Sequence, residues 1–412
     1  MNDTLRIAVI ASSRFSIRQP FAGGLEAHVW HLARALAQRG HQVSLFAAPG
    51  SDRDLGCQTI AVRRLEVSET AQADVSMPPE AFLADHHAYL TLMLQLASCA
   101  RDDFDVIHNH SLHYLPVAMA PMLSTPMLTT VHTPPTPWLE SAIDAASEAG
   151  TQFAAVSQHT AAAWRRVVRD ITVVPNGIAA ERWPLGPGGG PLVWFGRITA
   201  EKAPHLAIAS ARRARMPLVL AGPISDPDYF ATQVAPNLCD DIRYAGHLDQ
   251  EQLARLVGGA TAALVTPMWD EPYGLVVAEA MCCGTPVVAF NRGGIPELVV
   301  PQAGRLVAPG DVTAMADAVL AMAKLPRMQV REHAIDHCSA EAMLGAYLGL
   351  YQQMLNNHSE ASNDRLLHPP SRFWASGASD KHLCRAAPSG HRAEFPGHCR
   401  ASSVRGGGEI TA

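Results

Sequence analysis

Two acids and two cations, held in two separate segments, are the residues of this sequence best suited to act on a ligand. Glu271 and Glu279 are separated by seven residues in Asp270-Glu-Pro-Tyr-Gly-Leu-Val-Val-Ala-Glu279, just after the apolar run Ala263 to Thr266. Gly274 lets backbone approach a ligand closely, and a helix starting beyond it leaves N–H groups around Tyr273, Gly274 and Leu275 unpaired, which makes an anion site. A diphosphate is the natural occupant. Arg197 and Lys202 lie in Gly196-Arg-Ile-Thr-Ala-Glu-Lys202, after the apolar run Leu192 to Phe195. Arginine's planar fork engages phosphate oxygens while lysine supplies a compact charge, a division of labour suited to a departing nucleoside diphosphate. Each segment alone is ordinary, because acidic first turns favour helices and charged loops are mostly solvated. Both together, at one sheet edge, point to a ligand.

The elements that must position these residues follow from the apolar pattern. Ile7 to Ala11, Val43 to Ala47, Val106-Ile107, Met127 to Val131, Phe153 to Val156 and Ile171 to Val174 read as strands, and Glu26 to Arg39 has helical periodicity. Strands that are apolar throughout are buried on both faces, as in parallel sheets covered by helices. The glycine- and proline-rich stretch Trp183 to Pro191 sustains neither helix nor central strand and reads as a linker. Beyond it the alternation restarts, with strands expected at Leu192 to Phe195, Leu218 to Ala221, Ile242 to Tyr244, Ala263 to Thr266 and Val287 to Ala289. The expected fold class is therefore α/β, with two Rossmann-like doubly wound parallel-sheet domains over residues 1–182 and 183–357, the second closed by a helix from about Ala340 to Leu355. Residues 358–412, rich in Ser, Arg, His, Gly and Pro, are expected to be disordered.

Bulk properties exclude several function classes. A chain of 412 residues suits two domains, and a formal charge of -6 offers no general attraction to nucleic acid. Eight scattered cysteines without a C-x-x-C pair suggest neither a disulfide framework nor a zinc ribbon, so a reducing cytoplasm is the expected compartment. The amino terminus lacks the layout of a signal peptide, and no apolar run approaches the roughly 20 residues of a membrane helix. Neither a Walker phosphate loop nor a G-x-G-x-x-G fingerprint is present, which removes the ATPase and nicotinamide-dehydrogenase readings.

Candidate metal ligands read as structural. Asp103-Phe-Asp105 has a D-x-D form but precedes a strand, at the wrong edge for a site, and reads as a solvated turn. His108, His110 and His113 lack the carboxylates and spacing of a zinc site and read as cleft lining or core contacts. Cys384, His391, His398 and Cys399 lie in the polar tail with no core around them. No metal and no cofactor is expected.

Over roughly residues 5 to 355 the sequence resembles the retaining GT-B glycosyltransferases of family 4. The resemblance rests on Glu271 to Glu279, Gly284-Thr-Pro-Val-Val288, Gly293-Gly-Ile-Pro-Glu-Leu298 and the segment Gly196 to Lys202, where four residues rather than five separate Arg197 from Lys202. Weaker features are Gly23-Gly24, Asp105-Val-Ile-His-Asn-His110, Thr130-Val-His-Thr133 and Val174-Pro-Asn-Gly-Ile178. Phe is commoner than Tyr at the position of Tyr273, a departure that leaves the backbone role intact. The resemblance implies two domains facing a cleft and a nucleotide-sugar donor with a hydroxyl-bearing acceptor. It also implies that Arg197 and Lys202 bind the diphosphate, Glu279 the ribose and Glu271 the transferred sugar. Gly23-Gly24 would close over the phosphates and His132 would reach a sugar hydroxyl. By itself His132 reads as a loop histidine. The segments Gly222 to Tyr229 and Thr266-Pro-Met-Trp269 resemble a branch that includes UDP-glucose-dependent enzymes, making UDP-glucose the first donor expected. Two other readings stay open: a sugar-nucleotide 2-epimerase, which would convert donor without acceptor, and a non-catalytic nucleotide-sugar-binding protein, which would bind donor unchanged.

Overall fold

A computed structural model of the chain describes residues 4–146 and 150–367. Two parallel sheets carry it. The first contains β1 (Arg6–Ile10), β2 (Gln42–Phe46), β3 (Gln58–Ile60), β4 (Val106–Asn109), β5 (Met127–Val131), β6 (Thr151–Ala155) and β7 (Ile171–Val173), in the order β3-β2-β1-β4-β5-β6-β7. The second contains β8 (Leu192–Phe195), β9 (Leu218–Ala221), β10 (Ile242–Tyr244), β11 (Ala263–Val265), β12 (Val287–Phe290) and β13 (Gly304–Val307), in the order β10-β9-β8-β11-β12-β13. The strands read from apolar runs are all present. The two left out, β3 and β13, are edge strands, short and partly exposed, so burial does not enforce an apolar run on them.

Both sheets reverse their winding beside the first strand, between β1 and β4 and between β8 and β11. Ligands of open α/β sheets bind beyond the strand ends at this switch point. Consequently the loops after β1, β4, β8 and β11 are the ones that topology sends to a site.

The terminal helix Ala340–Leu367 departs from expectation. Rather than closing the second domain, it packs on the first: Met343, Leu344, Tyr347, Tyr351 and Met354 join the core formed by Ile7, Val9 and Leu32. The helix also continues to Leu367, through residues assigned from sequence to a disordered tail, while the remainder of that tail, with Cys384, His391, His398 and Cys399, lies outside the described residues. A buried polar bond fixes its register, as the Tyr351 hydroxyl meets His108 Nδ1 at 2.6 Å. Among the described residues no helix is long and apolar enough to cross a membrane.

This packing predicts a measurable contribution from the terminal helix. Tyr347→Ala should destabilise the chain by about 3–5 kcal/mol as a large core truncation, and Tyr351→Phe by about 1–3 kcal/mol by leaving the His108 nitrogen unpaired. Denaturant unfolding monitored by circular dichroism measures both, and unchanged midpoints would contradict the docking.

Candidate active site

The sequence of the second sheet brings its two charged segments together because β8 and β11 are neighbours. Lys202, after β8, forms an ion pair with Glu271, after β11, with side chains only 20% and 16% exposed. Trp269 closes the group: its indole N–H donates to Glu271 Oε2 at 3.0 Å, and its ring lies 4.9 Å from the Lys202 ammonium. Thr266 at the end of β11 ties the two loops, its hydroxyl donating to the carbonyls of Lys202 and Ala203 and accepting from the Trp194 indole at 3.0 Å. Ala203 takes a left-handed conformation, φ 49°, immediately before Pro204 starts the next helix. A non-glycine residue there stores strain of about 1–3 kcal/mol, and the sheet edge enforces it beside Lys202.

Arg197 stands 3.6 Å from Glu201 and faces the other sheet's first loop. A Cβ added at Gly23 would lie 3.1 Å from Glu26 Oε2 and 3.8 Å from Arg197 Cδ, and one at Gly24 would lie 3.0 Å from Leu275 Cδ1. Only Gly24 is sterically tight against the other domain, where a side chain would press on Leu275; at Gly23 the contact with Arg197 is ordinary van der Waals contact. Gly274 caps the helix Leu275–Cys282 in the left-handed region, φ 100°, which leaves the helix amino terminus open to the cleft. Tyr273, by contrast, is buried with its hydroxyl unpartnered, so its backbone rather than its phenol is available.

Glu279 sits on that helix, half-buried, and burial raises its carboxyl from the ordinary 4.5 to about 8. Across the cleft, His132 follows β5, lines the opening and bonds through Nε2 to His110 Nδ1 at 2.9 Å. Burial holds its pKa well below the ordinary range, so it is a neutral imidazole. All the residues expected from sequence (Gly23, Gly24, His132, Arg197, Lys202, Glu271, Tyr273, Gly274, Leu275 and Glu279) border one cleft of about 1200 Å³.

Two walls of this cleft are pinned from the opposite side. The Pro272 carbonyl accepts from Ser157 Oγ at 2.5 Å and Thr160 Oγ1 at 3.1 Å, while the Glu297 carboxylate accepts from the backbone of Gln158 and His159 at 2.9 and 2.7 Å. Glu297 belongs to the Gly-Gly-Ile-Pro-Glu segment, and there it stabilises a helix start of the other domain.

Other candidates fall elsewhere. Asp105 is bound by Arg6 at 2.7 Å at the amino-terminal end of β4, so it is a half-buried structural pair rather than a solvated turn. His113 stacks between Tyr89 and Tyr114, away from His110. Sequence reasoning missed Glu26 and His28, and named Trp269 only within the segment Thr266 to Trp269, without its bond to Glu271. Glu26 was visible as a first-turn acid two residues past Gly24, while His28 has only its helical spacing to announce it, which any core residue shares.

The Glycosyltransferase Family 4 model matches residues 22–182 and the Glycosyl transferases group 1 model residues 186–336. A glycogen synthase of Mycobacterium tuberculosis (strain ATCC 25618 / H37Rv) is 32% identical over 350 residues, covering 72% of this chain and 81% of its own. The chain is a GT-B glycosyltransferase. A D-inositol 3-phosphate glycosyltransferase of Acidothermus cellulolyticus is 26% identical, over 88% of this chain and 93% of its own. Two solved structures share the fold of this glycosyltransferase. Sucrose-phosphate synthase from Thermosynechococcus elongatus has a TM-score of 0.68 at 23% identity, over 85% of this chain and 99% of its own. Anabaena HepE, solved with UDP and glucose, has a TM-score of 0.67 at 16% identity, over 84% and 99%.

The raised Glu279 pKa gives the glycosyltransferase a pH signature when no ligand is bound. Unfolded, the group ionises near 4.5; folded, it keeps its proton to about 8, so the native state binds more protons and stability falls as pH rises between these values. Glu279→Gln removes that loss. Its melting temperature relative to the parent should therefore climb from pH 4.5 to pH 8 and level off above; a difference independent of pH would show that Glu279 is not held protonated.

Proposed function

We propose that this glycosyltransferase is a retaining, metal-independent hexosyltransferase that moves glucose from UDP-glucose to the hydroxyl of a small molecule or glycan. The observation that carries the reading is the ion pair of Lys202 with Glu271 at the carboxyl edge of the second sheet, with Arg197 lining the same cleft beside the amino terminus of the helix Leu275–Cys282. Breaking the bond between anomeric carbon and phosphate leaves positive charge on the sugar and negative charge on the diphosphate. Arg197, Lys202 and the N–H groups around Tyr273, Gly274 and Leu275 stabilise the departing diphosphate. The bond of Lys202 to Glu271 is exchanged when the donor enters: phosphate oxygens take the ammonium, and Glu271 turns to the sugar ring as a positioning and electrostatic group.

The leaving phosphate oxygen accepts the acceptor hydroxyl's proton on the same face, which retains the anomeric configuration. Glu279 accepts hydrogen bonds from the ribose, and the neutral His132 contacts a sugar hydroxyl from the opposite wall. Gly23 and Gly24 bring the first loop over the phosphates, excluding water that would hydrolyse the donor. UDP-glucose is supported by the segments Gly222 to Tyr229 and Thr266 to Trp269 and by the Anabaena neighbour, whose structure was also solved with UDP-glucose.

Lys202→Ala and Arg197→Ala should each lower kcat by about 10²–10³-fold, the usual effect of losing one preorganised donor to a developing anion. Glu271→Gln should lower transfer while melting remains cooperative. The parent is first matched to its donor by thermal shift with UDP-, GDP- and ADP-sugars, then assayed with NMR of the product anomer. Near-parental turnover in either cation variant would remove the leaving-group site. An inverted anomer, or a preferred donor other than UDP-glucose, would overturn the corresponding part of the proposal.

A further inference from the structure

Three imidazoles converge on the wall of the cleft that faces the diphosphate residues. His28 comes from the helix Gly24–Gln38, His110 follows β4 and His132 follows β5, and one ring nitrogen of each lies within 4.8 Å of one from both others. His28 and His110 are 4% and 0% exposed. Yet both nitrogens of His28 and Nε2 of His110 have no hydrogen-bond partner. An unsatisfied buried polar group costs roughly 1–3 kcal/mol, so these orphaned nitrogens at one point need an explanation that donor binding does not supply.

The neighbouring His108 sharpens the contrast. Its ring centroid is 3.8 Å from that of His110, but both of its nitrogens are engaged, by the Tyr351 hydroxyl at 2.6 Å and Thr130 Oγ1 at 2.8 Å. Of these four clustered rings, the structural one is satisfied and the other three retain coordinating capacity. A metal takes imidazole in its neutral form, through the lone pair of one ring nitrogen. The tautomers agree. If His110 Nδ1–H donates to His132 Nε2, the orphaned His110 Nε2 is a bare lone pair, which is less costly to bury than an unpaired N–H and is the form a metal takes.

We propose that His28, His110 and His132 bind one divalent transition metal ion of the zinc class, each through one imidazole nitrogen. Three nitrogens and no carboxylate select Zn(II), Co(II), Ni(II) or Cu(II) over Mg(II) and Ca(II). Ligands at about 2.0–2.1 Å from zinc in a tetrahedron stand roughly 3.3 Å from one another, inside the separation found here and reached by small ring rotations. The ion exchanges the His110–His132 bond for two coordinate bonds. His132 lines the cleft, so ions can reach the cluster from there. The site shares His132 with the proposed sugar pocket but none of Arg197, Lys202, Glu271 and Glu279, so metal binding is measured without turnover and its failure is distinguishable from failure of the proposed transfer.

Chelator-stripped protein titrated with ZnCl2 by calorimetry, and with CoCl2 by visible spectroscopy, tests the proposal without turnover. One ion per chain, with the intense bands of four-coordinate Co(II), is the expected result. His28→Ala and His110→Ala should weaken binding by about 100-fold or more, beyond the loss typical of outer-shell changes. His337→Ala, which disrupts the other close histidine pair, with His333 at a centroid distance of 4.3 Å, should leave it unchanged. Should the buried variants not fold, X-ray absorption of the zinc-loaded parent counts the imidazoles directly. Three support the site; two or fewer, no tight ion, or loss of binding in His337→Ala overturns it.

Discussion

The adjacency of β8 and β11 is the constraint on which the rest of the site depends. These strands lie 71 residues apart from Leu192 to Ala263, yet they share one ladder, and this alone carries Lys202 and Glu271 to the same point. Parallel pairing demands a crossover, and the winding reverses beside β8, so the loop ends there are left uncovered by any connection. An ion pair at that position is shielded from solvent on most sides yet still reachable from the cleft. A buried pair would resist exchange, and a fully exposed one would hold neither partner in place.

The same logic explains why the loop that carries Glu271 is braced from the opposite domain. Pro272 lies between Glu271 and Tyr273, and its carbonyl is held by Ser157 and Thr160. Gly293 and Gly294 wrap the other side, where a Cβ on Gly293 would sit 2.1 Å from the Glu271 carbonyl oxygen, and the Gly294 amide donates to that oxygen at 2.7 Å. The two glycines are therefore steric requirements of the bend that aims Glu271, and Glu297, three residues after Gly294, converts the same segment into a cap for the opposing helix.

Much of this was legible in the residues. Fully buried parallel strands leave unbroken apolar runs, so the interior of both sheets was readable, whereas β3 and β13 at the edges obey no such rule. Arg197, Lys202, Glu271 and Glu279 announce themselves because a basic and an acidic segment follow two apolar strands at one sheet edge, although each segment alone is ordinary. The state of those charges was not legible: the ion pair of Lys202 with Glu271 and the retained proton of Glu279 depend on distances and burial that no local spacing encodes. The histidines show the limit most clearly. Of His108, His110 and His113, grouped by proximity in sequence, the first two do lie together but His113 stacks with Tyr89, while His28 and His132, from distant segments, lie beside His110.

The placement of the terminal helix determines how the cleft can move. Because Ala340–Leu367 returns to the first sheet's core, the chain passes between the sheets twice, through the segment around Ile178 and again at Ser339. These crossings are bonded side by side: the Ile178 amide donates to Cys338 O at 2.7 Å, and the Ala340 amide donates to Ile178 O at 3.2 Å. Gly177 permits this contact, for a Cβ there would come within 2.4 Å of Ala340 Cα. Two bonded connections resist twisting of one sheet about the other far more than a single linker does, while bending about their common line breaks neither bond. The fold therefore favours a hinge motion that opens and closes the loops after β1 and β8 against each other and keeps them in register, which is what a transferase that must admit a donor and then exclude water requires.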